Sequence, residues 1–334
     1  MMVVLLEIKE KLVKIYGKYE VYLTPIVRFL LGIITFTLIN DTIGYMKMIS
    51  TMPIGLILAA ICSVLPVNAM ITLAAIVILL DLYALALEVF VVGALIFAFI
   101  YFIYYRFSPR YGYNAILMPI CFKLGIPYVV PIGSGLLGEM YSVISVVCGS
   151  VVYFFLKGVH ENEATLNSAS DAETSAVSKI TITLNQLLMN KEMVLVIGIF
   201  AIATIVVYLI RRLAIDNAWT IAWIAGVLIE VIGLISGYLL LGIAGKVSGV
   251  LIGGAVSAIL SWGIQFIFFN VDYTRTERLQ FEDDEYYYYV KAIPKLVVTG
   301  FDKQVKHIHK NDDKERLTKK KFAEEMDIDE ELLN

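Results

Sequence analysis

Charge, histidine and cysteine are all scarce in this chain. Only 17% of its 334 residues are charged, against about a quarter in a soluble globular domain, so water is not the solvent for most of the sequence. The formal net charge of −3 lacks the basic excess of a nucleic-acid binder, and no nucleic-acid partner is expected. Cys62, Cys121 and Cys148 lie singly inside apolar runs without paired spacing. That excludes a disulfide framework, and they read as small packing hydrophobes. The three histidines are His160, His307 and His309. His-x-His alone is a weak metal signal, so no metal and no other cofactor is expected. No glycine-rich phosphate loop with a following Lys-Ser/Thr occurs, so the chain does not itself bind ATP in the P-loop manner. No nucleophile–base pair stands out, and the chain is not read as an enzyme. A cleavable signal peptide is not expected either: Met1 to Leu6 lacks a preceding basic region and runs into Glu7 to Lys18.

What is abundant is apolar sequence, 59% of residues, with a mean hydropathy of +0.78. A helix needs roughly 20 apolar residues to cross about 30 Å of hydrocarbon. Backbone polar groups at that depth must be satisfied internally. The reading is therefore an all-α polytopic transmembrane helix bundle of about eight spans, or ten at most, with lipid as its first partner. Residues 1–20 mix apolar and Lys positions at helical spacing, as an interfacial amphipathic helix does. The first span is 21–39, with Pro25 in its opening turn. Residues 52–105 are too long for one crossing: a straight helix over 67–105 would measure roughly 60 Å. A turn near Ala84 to Leu87 and a break at Pro66 divide it into 52–66, 67–84 and 87–105.

Residues 113–138 differ in character. Pro119, Gly125, Pro127, Pro131, Gly133, Gly135 and Gly138 interrupt them, which points to a re-entrant hairpin of two half-helices covered by protein. The alternative is two full crossings. Further spans are 140–156, 193–210, 218–241 and 247–269, giving a transmembrane domain over 21–269. The 159–192 loop carries Val177, Ile180, Leu184, Leu187 and Leu188 at helical spacing and reads as an interfacial amphipathic helix. Residues 270–334 form a hydrophilic tail with a short strand and a disordered end.

Basic residues in short loops mark the cytoplasmic side. Lys9, Lys11, Lys14 and Lys18, then Arg106 and Arg110, then Arg211 and Arg212, and finally the Lys-rich tail all fall on one side if 113–156 makes one net crossing. Both termini are then cytoplasmic in a cell membrane, the hairpin opens from the cytoplasm, and the net acidic 159–192 loop lies outside.

Intramembrane polar residues are functional suspects by default. Glu230 sits midway along its span and needs a proton, a partner or water; Arg28 or Lys123 would serve if their helices adjoin it. Arg28 can otherwise snorkel to the headgroups. The broken stretch holds Lys123, Pro127, Pro131 and Glu139 as candidate pathway residues, since transporters place half-helix ends and unwound backbone around substrate. A simple structural kink is the competing reading. Asp81 and Glu88 are seven apart, as a paired-carboxylate ion site would be, but the expected turn between them favours hairpin-end carboxylates. Gly245, Gly249, Gly253, Ser257 and Ser261 recur every four residues, a small-residue ladder for close helix packing within the chain or between subunits.

In the tail, Glu282, Asp283, Asp284 and Glu285 precede Tyr286 to Tyr289, and β-branched and aliphatic residues follow over 290–298 around Pro294. This reads as an acidic head before an edge strand, with Tyr286 and Tyr288 in a docking strip for a cytoplasmic protein. The sequence FNVDYTRTERLQFEDDEYYYYVKAIPK after the last span, with LPVNAM and IPYVVPI upstream, resembles a family of multipass membrane proteins from anaerobic Gram-positive bacteria. Members are commonly labelled ABC-transporter permeases, and the likeness covers most of the chain. The resemblance, the broken segment and Glu230 together imply a permease-like subunit of a transport or export assembly, partnered by other membrane subunits. The alternative is a membrane anchor or scaffold that recruits a cytoplasmic protein through its tail.

Overall fold

The computed structural model describes residues 2–167, 179–181, 183–185, 190–269, 277–282 and 287–292. They form an all-α polytopic bundle. Seven helices among them are long and apolar enough to cross a membrane: Lys14–Ile43, Val67–Leu85, Leu87–Phe107, Ser142–Glu161, Lys191–Arg211, Ala218–Leu240 and Ala244–Phe268.

The first helix, α1 (Met2–Ile43), is one element with a single non-helical residue, Tyr19 (φ −116°, ψ 17°). The break falls at the expected end of the amphipathic segment, but helix continues on both sides of it. Helix α2 (Met52–Val64) has Pro in its first turn and 13 residues, about 20 Å, short of a full crossing. It stops because Leu65, ahead of Pro66, is extended (φ −77°, ψ 155°), as a residue before proline prefers. Then α3 (Val67–Leu85) and α4 (Leu87–Phe107) are separated by one extended residue, Ala86 (φ −163°, ψ 140°). The length argument required a break there.

Helices α5 (Gly112–Lys123) and α6 (Val129–Leu137) build the broken segment, and α7 (Ser142–Glu161) follows. Both ends of the segment meet: the Glu139 N–H donates to the Tyr111 hydroxyl at 3.0 Å, and the Ser145 hydroxyl donates to the Tyr111 carbonyl at 2.5 Å. From that end α5 runs alongside α7. A Cβ on Gly149 would lie 2.6 Å from the Met118 Cβ, and the Phe122 ring stacks on Tyr153 at 4.2 Å. The chain then reverses at Gly125 (φ +76°), with Ile126 N–H on Cys121 O (2.9 Å) and Gly125 N–H on Phe122 O (3.1 Å). This is the left-handed glycine stop that needs no Cβ. The half-helix α6 returns to the starting end, so 111–139 is a hairpin that enters and leaves on one side. At about 18 Å and 14 Å, neither half-helix crosses alone.

A short α8 (Glu163–Asn167) follows α7. The loop's expected apolar helix is described only at 179–181 and 183–185, and Val177, Leu187 and Leu188 lie outside the described residues. Helix α9 (Lys191–Arg211) begins under a cap in which the Asn190 side chain accepts from Met193 N–H at 2.9 Å. Helix α10 (Ala218–Leu240) ends at Gly242 (φ +74°), and α11 (Val247–Phe268) runs back after a 3-10 turn over Ala244–Lys246.

Two packed groups share α5 and α7. One gathers Phe36, Ile43, Leu82, Val89, Ile116 and Phe155 from α1, α3, α4, α5 and α7. The other gathers Met118, Val146, Phe200 and Leu234, extended by Ile132 and Val207. Outward faces stay apolar: Leu95, Phe99 and Phe102 follow one face of α4 and are two-thirds exposed or more, as side chains that meet lipid are.

The tail corrects the sequence reading. Two antiparallel strands occur, β1 (Glu277–Glu282) and β2 (Tyr287–Ala292), with Phe281 opposite Tyr288 and Glu282 opposite Tyr287. The expected single strand over 290–298 is displaced toward the tyrosines, and Pro294 lies outside the described residues. The missed partner strand alternates polar and apolar from Arg278 to Glu282, a period-two signal that was available.

Candidate functional site

Glu230 lies midway along α10 and is 0% exposed. Neither carboxylate oxygen has a hydrogen-bond partner. It shares its helix face with buried Gly226 and Leu234. Across from it, α11 runs antiparallel: Trp223 Nε1 donates to Gln265 Oε1 (2.6 Å), and Gln265 Nε2 donates to Thr220 Oγ1 (2.7 Å). Nearer the middle, a Cβ on Gly254 would sit 2.6 Å from Val231. That register sets Ser257 near the level of Glu230 and Ser261 near that of Gly226. Both hydroxyls are buried without partners. The third wall is the hairpin: a Cβ on Gly226 would lie 3.2 Å from Ile132 of α6, and one on Gly253 would meet the Tyr128 ring. Helix α9 closes the same face of α10, with Val207 against Gly226 and Leu195 against Gly237, so Glu230, Ser257 and Ser261 leave four unpartnered polar oxygens at similar depth in this part of the bundle. An ionised carboxylate in such a place costs several kcal/mol unless it is paired.

The expected partners are elsewhere, which corrects the idea of a Glu230 ion pair. Arg28 packs in the other group and donates Nη1 to the Leu65 carbonyl at 3.2 Å. The last carbonyls of α2 attract a cation there. Lys123 ends α5 and is exposed. Neither bonds to Glu230. Glu139 is exposed at the hairpin mouth, while Pro127 and Pro131 are buried. Pro131 is the third residue of α6, where its missing N–H leaves no broken bond. Asp81 is 0% exposed and accepts from Met46 N–H at 3.0 Å. The turn at Ala86 separates it from Glu88 on the next helix, so the two do not share one helix face.

The small-residue ladder is packed within the chain over only part of its length. A Cβ at Gly253 would collide with the Tyr128 ring and lie 2.7 Å from the Gly125 carbonyl oxygen. Ser257 and Ser261 continue that buried line. Gly245 and Gly249, however, have nothing within 4 Å of an added Cβ. The first two rungs therefore pack against nothing among the described residues, which leaves them to the between-subunit reading: the hairpin tip reaches down only as far as Gly253.

Arg211, read from sequence only as a sidedness marker, clamps the hairpin. Nη1 donates to the Leu136 carbonyl and Nη2 to the Gly138 carbonyl (the latter at 3.0 Å). Its guanidinium also lies 5.6 Å from the Tyr208 ring centre and 5.7 Å from that of Trp219. At the opposite end of the bundle, Glu192 accepts from Lys246 Nζ at 2.5 Å and lies 4.0 Å from Lys157 Nζ.

A cavity of about 330 Å³ opens between α1, α3, α4, α5 and α7. Its walls are apolar, and Lys123, Lys157, His160 and Glu161 stand at one end. Glu230 does not line it, nor either of two further cavities at the Glu192 cluster and on the outer face of α4. The tail strip is partly described: Glu282 closes β1, Tyr288 in β2 is exposed, and Asp283, Asp284, Glu285 and Tyr286 lie outside the described residues. Comparison with protein-family models, curated proteins and solved structures finds no match.

Proposed function

We propose that the chain is a permease-like subunit of a transport or export assembly in the cell membrane, with Glu230 taking up and releasing a proton or a substrate cation. One observation carries this reading: a carboxyl group buried mid-span with no partner for either oxygen. A static bundle gains nothing from such a group, and an apolar residue of similar volume would be cheaper. A bundle that alternates between closed and open states has a use for it, because opening brings water or a cation to the carboxylate. The adjoining wall is the part of the bundle best made to move. It is a half-helix between glycines, held at its end by Arg211 rather than by a covalently continuous span. The basic residues near Arg106, Arg110 and Arg211 favour the cytoplasm as the side from which the hairpin opens.

The test is Glu230→Gln in proteoliposomes under an imposed membrane potential, with an enclosed pH-sensitive dye. The expected result is loss of at least nine-tenths of proton uptake, with unchanged folding. Undiminished uptake, or a variant that only unfolds earlier, refutes the assignment.

One observation favours the anchor reading instead. The β1–β2 hairpin exposes Tyr287, Tyr288 and Val290, and a two-stranded sheet leaves edges for strand addition. Under that reading, removing 270–334 abolishes co-purification of a cytoplasmic partner, and Glu230→Gln changes nothing.

A further inference from the structure

We infer that the cavity between α1, α3, α4, α5 and α7 binds a free single-chain amphiphile with an anionic head. As the cargo of transport this rests on the reading above; as a binding site it is measured without any gradient. The cavity's volume, about 330 Å³, falls at the low end of small-molecule sites, roughly 300–1,000 Å³. It is elongated. Along α7 its lining runs from Cys148 to Glu161, about 20 Å of helix. One leaflet of the hydrocarbon core is about 15 Å deep, so a single acyl chain fits the length, while two chains overfill the volume.

The lining sorts by charge along that axis: Thr35, Thr42, Tyr101 and Tyr104 add hydroxyls elsewhere, of which those of Thr35, Thr42 and Tyr104 are already bonded within the protein. Ile71, Ala75, Ile78, Phe97, Ile116 and Ile120 line the body, and Lys123, Lys157, His160 and Glu161 gather at one end. Two lysines face one glutamate there. Lys157 already lies 3.7 Å from Glu161 and 4.0 Å from Glu192. Lys123 has no ion pair or hydrogen bond among the described residues. An apolar slot closed at one end by an unpaired ammonium selects a long apolar chain with a carboxylate, sulfate or phosphate head. An uncharged chain leaves Lys123 unmatched, and a cationic head is repelled by it. The wall that carries Lys123 is α5, the half-helix whose hairpin partner abuts Glu230, so cargo and Glu230 press on one movable element from two sides.

The probe is radiolabelled palmitate, titrated onto the full chain in zwitterionic phosphatidylcholine nanodiscs. One saturable site is expected, weakened at least tenfold by Lys123→Gln and also by Ala75→Phe, which fills the slot. Hexadecanol, the uncharged analogue, should bind at least tenfold more weakly and ignore Lys123→Gln. Lys123 is exposed, so its variant is expected to fold; circular dichroism and thermal unfolding check both variants. Non-saturable palmitate uptake, or affinity unmoved by both substitutions, overturns the site. Stoichiometric displacement of palmitate by phosphatidylglycerol assigns the slot to bilayer lipid and overturns the free amphiphile. Since no gradient is applied, either failure leaves the flux result for Glu230→Gln standing or falling on its own.

Discussion

Gly249 and Gly253 are one helical turn apart on α11, and the same substitution at each should have opposite effects. Replacing either with Ala removes backbone freedom from the unfolded chain, a gain of roughly 0.5–1 kcal/mol in a helix interior. At Gly249 the new methyl enters open space, so that gain stands. At Gly253 it meets the Tyr128 ring and the Gly125 carbonyl oxygen, the latter at 2.7 Å. Neither can step aside cheaply. The ring is 8% exposed and edge-on to Phe200 at 6.0 Å. The carbonyl belongs to the turn fixed by φ +76° at Gly125. Overpacking of this kind costs about 1–3 kcal/mol. Because both variants share the backbone gain, their difference isolates the steric term, about 1–3 kcal/mol. Unfolding by sodium dodecyl sulfate in mixed micelles, followed by circular dichroism, measures it. Equal stability of Gly249→Ala and Gly253→Ala, to within about 0.3–0.5 kcal/mol, would refute the view that the hairpin tip is seated on this face of α11.

Arg211→Ala should release the α6 end, because two charge-assisted bonds worth about 1.5–3 kcal/mol each are lost. Thiol labelling of a cysteine at position 137 is then expected to speed up severalfold, with Arg211→Lys only partly protective, since one ammonium cannot fork between two carbonyls. Lys9 is 8% exposed, and burial lowers its ammonium below the ordinary lysine value. The unfolded chain therefore holds that proton to higher pH than the folded one, and stability should rise with pH from the folded value up to about 10.5. Thermal unfolding in detergent should show this rise in the native chain and its absence in Lys9→Met.

The helical breaks in the apolar sequence after α2 were legible because hydrocarbon thickness and helical rise fix how much apolar sequence one crossing can absorb. That argument placed a turn near Ala84 to Leu87, and the chain turns at Ala86. Glycine and proline likewise announced the broken segment, since each removes a backbone option that a continuous helix needs. Proximity between distant helices was not legible. Nothing along the chain reveals that Arg28 packs on α2 while the Glu230 face of α10 meets α9 and α6 through Gly226, because span order does not fix which helices adjoin. How far the ladder is used within the chain was not legible for the same reason: a four-residue period shows which residues share a face, not how far the neighbour extends along it. The hold of Arg211 on the hairpin was not legible either, because charge counting registers a basic residue and not what it bonds. Trp223, Gln265 and Thr220 gave no signal at all, since a hydrogen-bonded chain between helices has no sequence period.

The Lys9 contact has a consequence for how the molecule is made. Lys9 Nζ donates to the carbonyls of Phe266 (2.6 Å) and Phe269 (2.8 Å), partners that leave the ribosome about 260 residues later. At roughly 5–20 residues per second of synthesis that is a delay of some tens of seconds. Through that interval the N-terminal lysine has no partner in the chain and is drawn to anionic headgroups at the membrane surface. Only when the last span has inserted can the lysine leave the lipid for the open carbonyl end of α11. A chain truncated before Phe266 therefore keeps the packing of α1 through Phe36 and Ile43 but leaves Lys9 at the headgroups.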